Sequence, residues 1–355
     1  MTPEGVKFWE EGPKGMATGI GSLPHLDPVK AVGAVLSHLT EAPFWPQLPR
    51  LGPQEGMTLQ YLAGFPALGM VNGSPVVDTG EEGQGELAEF YREIVEGDLE
   101  AFALPEERAR GYWAFEGALK AGRANGARFL KGHVTGPVTL ASSLKDRAGR
   151  ELTYDDNFRE VVGEHIAASA LWQVERLGRF GKDVIIFLDE PGMEVFGSAF
   201  SSLDGEMVLK LWQPALDKIA HAGALSGIHC CGNTDWTLLL QSDADIINFD
   251  AYQYLERLAL YPLAVSNFLE RGGVLAWGIV PSDERAEGET TDSLLEKLEK
   301  GMELFVSRGV DAALLRRRSI ITPSCGMGSL QIGLSERVLE LVADVCLKFR
   351  ERHFP

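Results

Sequence analysis

The stretch Val184–Leu188 reads VIIFL, and Asp189 and Glu190 follow it directly. A continuous apolar run of this length is typical of a β-strand that is buried on both faces, as in parallel sheets. Further apolar runs along the chain also end at polar residues. This pattern indicates repeated strands of one sheet whose carboxyl ends carry the chemistry.

Eight such runs can be found, and longer segments with helical periodicity lie between them. The runs cover residues 17–23, 44–48, 129–140, 184–188, 225–231, 246–249, 274–280 and 320–322. In residues 158–177 apolar side chains recur every three or four positions with charged residues opposite, as in an amphipathic helix. Alternating strands and helices predict an α/β fold of the (β/α)8 TIM barrel class, with an open doubly wound sheet as the alternative.

The size of the chain suits one large domain. It has 355 residues, of which 45% are hydrophobic, and a barrel of eight βα units needs about 250 residues. We therefore expect residues 1–355 to form a single catalytic barrel. Residues 50–107, which are rich in Gly, Pro and acidic side chains, lack the apolar periodicity for a core of their own. We expect them to be a long insertion after the second strand that lies over the active face.

The acidic composition argues against several classes of partner. A net charge of −18, from 51 acidic and 33 basic residues, repels nucleic acids and anionic lipid surfaces. No apolar stretch approaches the roughly 20 residues that cross a bilayer. Four cysteines are too few for a disulfide framework in this chain, and the start MTPEGVKFWE lacks a signal pattern. We therefore expect a reducing, cytoplasmic setting.

Soft metal ligands stand where several apolar runs end. They are His229 and Cys231 in GIHCCGNT, Asp250 in INFDAY and Cys325 in TPSCGMG. Because the carboxyl ends of barrel strands form one face, residues far apart in sequence meet there. Imidazole, thiolate and carboxylate groups can together close a tetrahedral zinc shell. A carboxylate at position 250 could equally accept a hydrogen bond from a substrate or a loop amide.

Strand alternation separates the adjacent cysteines of this segment. Side chains two residues apart share a face, so His229 and Cys231 point one way and Cys230 the other. Cys230 is therefore predicted to be a small core residue. Cys346 lies in the helical pattern VLELVADVCLKF and is predicted to be a core residue as well.

Two other positions suit the charged ends of an amino acid. A turn with Gly19, Gly21 and Ser22 in ATGIGSLPH follows the first strand, where exposed backbone amides could approach an anion. The alternative is an ordinary βα turn. Asp189 and Glu190 in LDEP are suited to bind an ammonium group, although Asp189 could instead cap a following helix.

Taken in order, five segments make residues 18–326 resemble the catalytic, C-terminal half of cobalamin-independent methionine synthases. These segments are GIGSLP, KGHVTGPVTL, FLDEP, IHCCGN with INFDAY, and TPSCGMG. That family belongs to a barrel superfamily with uroporphyrinogen decarboxylase and the corrinoid-dependent thiol methyltransferases. The resemblance implies a (β/α)8 barrel with zinc that methylates the thiol of homocysteine to give methionine. By motif it assigns the zinc to His229, Cys231, Asp250 and Cys325.

The resemblance also implies the substrate contacts. Ile20, Gly21 and Ser22 match the turn that contacts the amino-acid end of homocysteine, and Asp189 matches the residue that binds its amino group. Coordination would deprotonate the thiol at neutral pH. Asp189 and the turn would then aim the sulfur at the donor methyl group, which is catalysis largely by positioning.

Three departures from the family pattern concern mostly the donor side. Asp250 stands where the family has Glu, Ser143 lies near the place of a Trp associated with the pterin of the folate donor, and WGIVPSDER offers no counterpart to a proton-transferring His. The match also includes no N-terminal partner barrel. Both a methylcorrinoid, free or bound to a partner protein, and methyltetrahydrofolate therefore stay candidate donors. The alternatives are a metal-free enzyme resembling uroporphyrinogen decarboxylase and a corrinoid- or thiol-binding accessory protein without catalysis.

Overall fold

The computed structural model describes residues 1–197 and 203–355, and its framework is a curled sheet of seven parallel strands. The strands of the described chain are β1 (Met16–Ala17), β2 (Leu68–Val71), β3 (Ser74–Val77), β4 (Phe129–Thr135), β5 (Lys145–Asp146), β6 (Asp183–Asp189), β7 (Leu225–Cys230), β8 (Ile246–Phe249), β9 (Val274–Val280) and β10 (Ser319–Pro323). In the large sheet the order is β1-β10-β9-β8-β7-β6-β4. The α/β class with parallel strands is thereby confirmed.

Seven of the eight predicted runs overlap strands of this sheet. Strands β4, β8, β9 and β10 are buried at every position, which explains why their sequences are mostly apolar. The predicted run 129–140 is too long, since its strand ends at Thr135. Pro137 has no amide hydrogen for a ladder, and it instead occupies the first position of a helix.

Residues 44–48, the eighth predicted strand, form no ladder. Phe44 makes an isolated parallel bridge to Lys131 of β4, and Gln47 makes another to the turn after β1. The segment thus lies in the gap between the two edge strands without completing a hydrogen-bonded barrel. Pro43 and Pro46 explain this difference, because a proline cannot donate a ladder hydrogen bond.

Fourteen helices occur in the described part of the chain. They are α1 (Pro3–Glu11), α2 (Pro28–His38), α3 (Met57–Gln60), α4 (Glu81–Glu96), α5 (Arg110–Lys120), α6 (Pro137–Ser143), α7 (Asp156–Gly178), α8 (Gly205–His221), α9 (Trp236–Gln241), α10 (Ala251–Leu258), α11 (Pro262–Glu270), α12 (Thr291–Ser307), α13 (Ala312–Arg317) and α14 (Ile332–His353). Six of them begin at an aspartate whose carboxylate accepts a hydrogen bond from a first-turn amide. None of the helices described is long and apolar enough to cross a membrane.

Inside the curl of the sheet, the lining changes from apolar to polar along the strands. A small cluster that includes Phe129, Ile185 and Ile246 fills the end where the strands begin. Farther along the strands, Lys131 and Asn248 are fully buried in the same interior. A larger cluster of apolar side chains packs between the sheet and the surrounding helices. The polar groups are therefore concentrated toward the carboxyl ends of the strands.

Residues 49–108 pack against the carboxyl end of β4. Strands β2 and β3 form a hairpin, and β3 pairs with β5 in a separate three-stranded sheet. The Tyr61 hydroxyl after α3 donates to the carbonyl oxygen of His133 at 2.7 Å, and the Thr135 hydroxyl donates to that of Met57 at 2.5 Å. Tyr61 and Phe65 also belong to the large hydrophobic cluster. These contacts hold α3 beside the polar end of the strands.

Candidate metal centre

Three of the predicted metal ligands converge at the carboxyl edge of the sheet. His229 lies near the end of β7, Cys231 directly follows that strand, and Cys325 lies in the turn after β10. One ligand atom from each side chain lies within 4.8 Å of those of the other two. Residues nearly a hundred positions apart meet because parallel strands end at the same edge of the sheet.

The orientation of His229 suits metal binding. Its Nδ1 is hydrogen-bonded to Oδ1 of Asn248, while the Asn248 amide nitrogen donates to Ala276 O at 2.9 Å and to Thr322 Oγ1 at 2.8 Å. Because the Asn248 amide nitrogen is used as a donor, its oxygen accepts the proton of Nδ1. Nε2 then carries the lone pair, and it has no hydrogen-bond partner among the described residues. An oriented imidazole of this kind is common in metal sites.

The two cysteines form an electron-rich pair. A hydrogen bond from Cys325 and the nearby His229 imidazole hold the pKa of the Cys231 thiol well below its usual range, although burial opposes this shift. The hydrogen bond to Cys231 and burial both raise the pKa of Cys325. Imidazole and thiolate donors in this combination match zinc.

Asp250 lies outside this group of three. Its Oδ1 accepts from the backbone amide of Gln253 at 2.9 Å, and its Oδ2 accepts from the Gln253 side chain at 2.6 Å. Asp250 is thus the N-cap of α10, and it is 2% exposed. Both carboxylate oxygens are held by a helix that begins at the next residue. Asp250 therefore accepts a hydrogen bond from a backbone amide, which is the alternative that the sequence left open beside metal ligation.

Asp189 lies next to the three ligands. It is paired with His229 in the register of β6 and β7, and its Oδ1 is buried without a hydrogen-bond partner in the described part of the chain. Burial raises the pKa of Asp189 to about 6, although His229 and Lys131 favour the charged form. Burial lowers the pKa of Lys131 to about 8. The Lys131 amine donates to Ile20 O at 2.5 Å and lies 4.2 Å from the ring centroid of Phe187.

The predicted anion-binding turn, Ile20–Ser22, lies against the loop that carries Cys325. The Ser22 carbonyl oxygen accepts from the amide of Met327 at 2.9 Å. A side chain at Gly326 would come within 2.3 Å of the Ser22 hydroxyl oxygen. A larger residue at position 326 would therefore have to displace the Ser22 hydroxyl, which accepts from the amide of Gly328. The turn, the ligand group and Asp189 consequently form one continuous site.

The interpretation of Glu190 as a second carboxylate facing the site is wrong. Glu190 is fully buried, and its oxygens accept from the amides of Val138 and Thr139 at 3.0 and 2.8 Å and from the indole of Trp212 at 2.7 Å. These bonds connect the end of β6 to the start of α6 and to α8. Burial raises the pKa of Glu190 to about 7 despite the hydrogen bonds. Asp189 alone of this pair faces the ligand group.

Cys230 and Cys346 pack in the large hydrophobic cluster and are 0% and 5% exposed, which confirms both as core residues.

Lys131 and His133 were not predicted as site residues, although they lie in the segment KGHVTGPVTL. Both residues are buried, at 0% and 1% exposure, and both lie on the side of β4 that faces the interior of the curl. The alternation rule that paired His229 with Cys231 also pairs these two positions. A polar pair at alternate positions of an otherwise apolar strand was the available signal.

Comparison with known proteins gives only distant similarities. No family model matches the chain, and no curated protein does. The chain is similar to the structure of a B12-independent methionine synthase from Shewanella sp. W3-18-1 in complex with selenomethionine, with 21% identity, 63% of this chain and 62% of that chain covered, and a TM-score of 0.44. It is also similar to 3-keto-D-glucoside 4-epimerase YcjR from E. coli, with 11% identity, 66% and 84% covered, and a TM-score of 0.39. The match thus spans less than two thirds of that synthase, and the function must be argued from the site.

Proposed function

We propose that the protein is a zinc-dependent S-methyltransferase whose acceptor is the thiol of a small amino acid, homocysteine in the first instance. The supporting observation is the convergence of His229, Cys231 and Cys325 within 4.8 Å of one another. This group lies beside Asp189, whose buried Oδ1 has no partner among the residues described. A soft metal site next to a free carboxylate suits a substrate that carries both a thiol and an ammonium group.

The ligand set fits zinc in a catalytic role. One imidazole nitrogen and two sulfurs make three protein ligands, and catalytic zinc sites commonly keep the fourth position for water or substrate. With Asp250 held as a helix cap, that position is left to the substrate sulfur. Bound there, zinc would keep the acceptor thiol deprotonated and nucleophilic at neutral pH.

The remaining residues act by holding the amino-acid end of the acceptor. The carboxylate of Asp189 binds the ammonium group, since an opposite charge offsets the cost of burying it. The amides of the turn Ile20–Ser22 face the carboxylate of the acceptor. Lys131 fixes that turn through its hydrogen bond to Ile20 O. Rigid binding at both charged groups aims the sulfur, and such positioning can supply a large part of the rate enhancement.

We place the methyl donor on the side of the site formed by α6. Ser143, at the end of that helix, lines a groove of about 700 Å³ together with residues of α3, of the β2–β3 hairpin and of the following loop. Ser143 lies near the position that the family resemblance associates with the donor. A methylcorrinoid and methyltetrahydrofolate are both candidates for this groove.

The decisive assay incubates zinc-loaded protein with L-homocysteine under anaerobic conditions, with methylcobalamin and methyltetrahydrofolate offered in parallel. The proposal predicts methionine from one of these donors and none after zinc is removed with a chelator. Zinc-loaded protein that forms no methionine from either donor contradicts it. A protein that binds no zinc under reducing conditions would favour the decarboxylase alternative. Binding of homocysteine without turnover would favour the accessory-protein alternative.

A further inference from the structure

The imidazole of His133 is held in a fixed sandwich. On one side it stacks on the indole of Trp45, with ring centroids 3.9 Å apart and 20° between the planes. On the other side lies Gly21, because a Cβ built there would be 2.9, 3.0 and 3.1 Å from Cε1, Nε2 and Nδ1. Nearly equal distances to these three atoms arise only above the plane of the ring. Gly21, in the turn assigned to the acceptor carboxylate, is therefore in direct contact with His133.

The backbone of His133 is fixed as well. Its carbonyl oxygen accepts from the Tyr61 hydroxyl at 2.7 Å and from the Gln173 side chain at 2.8 Å. Gln173 in turn accepts from the Trp45 indole at 2.8 Å. One hydrogen-bond network therefore holds both the strand and the stacking partner. Such support is what a residue that must present its edge to a ligand requires.

The ring nitrogens of His133, in contrast, are left unused. Neither nitrogen has a hydrogen-bond partner among the described residues, and both are buried. The other buried histidines, His25, His165 and His229, each bond at least one ring nitrogen. Buried polar atoms without partners are rare in native proteins and costly. Two of them on one ring, beside the turn assigned to the substrate, indicate that a ligand satisfies at least one of them.

The chemistry of the ring indicates which part of a ligand it meets. Burial, and then the positive charge of Lys131, lowers the pKa of His133, so the ring is neutral. A neutral imidazole offers one N–H donor and one acceptor. Asp189, which is paired with Thr135 two residues farther along β4, offers a second buried acceptor without a partner in the described chain. An N–H donor suits a carboxylate, and the Asp189 carboxylate suits an ammonium group.

We propose that His133 contacts the substrate and determines its specificity: its imidazole donates a hydrogen bond to the carboxylate of the acceptor amino acid while Asp189 binds the ammonium group. This inference rests on the proposed function and adds a selection against thiols that lack a carboxylate. The stacking on Trp45 and the contact with Gly21 set the position of the donor. No metal ligation is required of His133, which lies outside the group of His229, Cys231 and Cys325.

The test compares two ligands by titration calorimetry on zinc-loaded protein. L-Homocysteine carries the carboxylate, and 3-mercaptopropylamine has the same thiol and amine without it. His133→Phe keeps a ring that can stack on Trp45 but removes both nitrogens. A hydrogen bond to a charged group is lost, so the affinity for homocysteine should fall about 10- to 100-fold. The affinity for 3-mercaptopropylamine should stay as in the wild type.

If His133 had a purely structural role, the substitution would lower the affinity for both ligands equally. Equal losses of affinity, or no loss of affinity for homocysteine, would therefore overturn the proposal. His133→Phe should also raise the melting temperature of the ligand-free protein, since it removes two unpartnered polar atoms. His133→Gln, which retains an N–H donor, should recover part of the homocysteine affinity, and it serves if the Phe variant does not fold. If the wild type binds homocysteine and His133→Phe keeps the wild-type preference for homocysteine over 3-mercaptopropylamine, this inference alone is contradicted. Binding without any methyl transfer would contradict the proposed function alone.

Discussion

The two ends of the space enclosed by the sheet differ in how their side chains are satisfied. At the end where the strands begin, Phe129, Ile185 and Ile246 form a cluster in which each side chain is fully buried among apolar neighbours. At the carboxyl end, Oδ1 of the half-buried Asp189 and both ring nitrogens of the buried His133 lie out of solvent without a hydrogen-bond partner among the described residues. Close packing without polar atoms stabilises the first end. The unpartnered polar atoms at the second end lower the stability of the folded protein, and a ligand could satisfy them.

Removing one sulfur from the carboxyl end should have the largest effect on function. In Cys231→Ser and in Cys325→Ser we expect loss of zinc and of methyl transfer, since two ligands cannot hold the ion as three do. Metal content by plasma mass spectrometry after gel filtration measures this. Asp250→Asn is the matched control: it keeps the helix cap and should keep zinc at the wild-type ratio. Stoichiometric zinc in either serine variant, or its loss in the Asn variant, would refute this ligand set.

A truncation at the apolar end should affect stability and not the metal. Phe129→Ala removes a fully buried ring that packs against Phe8 and Trp9. We expect the free energy of unfolding to fall by about 3–5 kcal/mol, which urea denaturation measures. Folded protein below the transition should bind zinc as the wild type does. Parallel loss of zinc affinity and stability would show that the two ends are not independent.

A smaller effect concerns the pH dependence of stability. Burial raises the pKa of Glu190 from its ordinary value of 4.5 to about 7. The folded protein therefore keeps this proton longer than the unfolded chain does. The free energy of unfolding should fall as the pH rises between these two values, by about 3 kcal/mol, and stay lower above them.

Glu190→Gln cannot titrate and should show a flatter profile across the same pH window. Asp189 titrates in both proteins, so the difference between the two profiles isolates Glu190. Urea unfolding of metal-free protein at stepwise pH gives both curves. Parallel profiles in the wild type and the Gln variant would mean that Glu190 is charged in the folded protein at all these pH values.

Most strands and the three converging candidate ligands could be predicted from the sequence for simple reasons. Strands buried on both faces have continuous apolar runs, and strand alternation places His229 and Cys231 on one side. The prediction of a strand at residues 44–48 was wrong, because their apolar side chains suggest a strand while Pro43 and Pro46 withhold the amide hydrogens that a ladder needs. The sequence alone did not show whether the apolar side chains or the two prolines would determine the local structure.

The roles of two carboxylates could not be read from the sequence either, because they depend on tertiary contacts. Asp250 could ligate or cap, and in the structure it caps α10, which starts one residue later. Glu190 was assigned to the site because it adjoins Asp189. Its actual partners, among them Trp212 of α8, lie on other elements. Local patterns place a residue at a strand end, and packing decides which way its oxygens face.

The coordination of zinc tests the central claim most directly. X-ray absorption at the zinc edge should show two sulfur and one nitrogen neighbours from the protein, completed by one oxygen in the absence of substrate. Addition of L-homocysteine should replace that oxygen with a third sulfur. An unchanged count of two sulfurs at saturating homocysteine would contradict the account, because the thiol would then bind without reaching the metal.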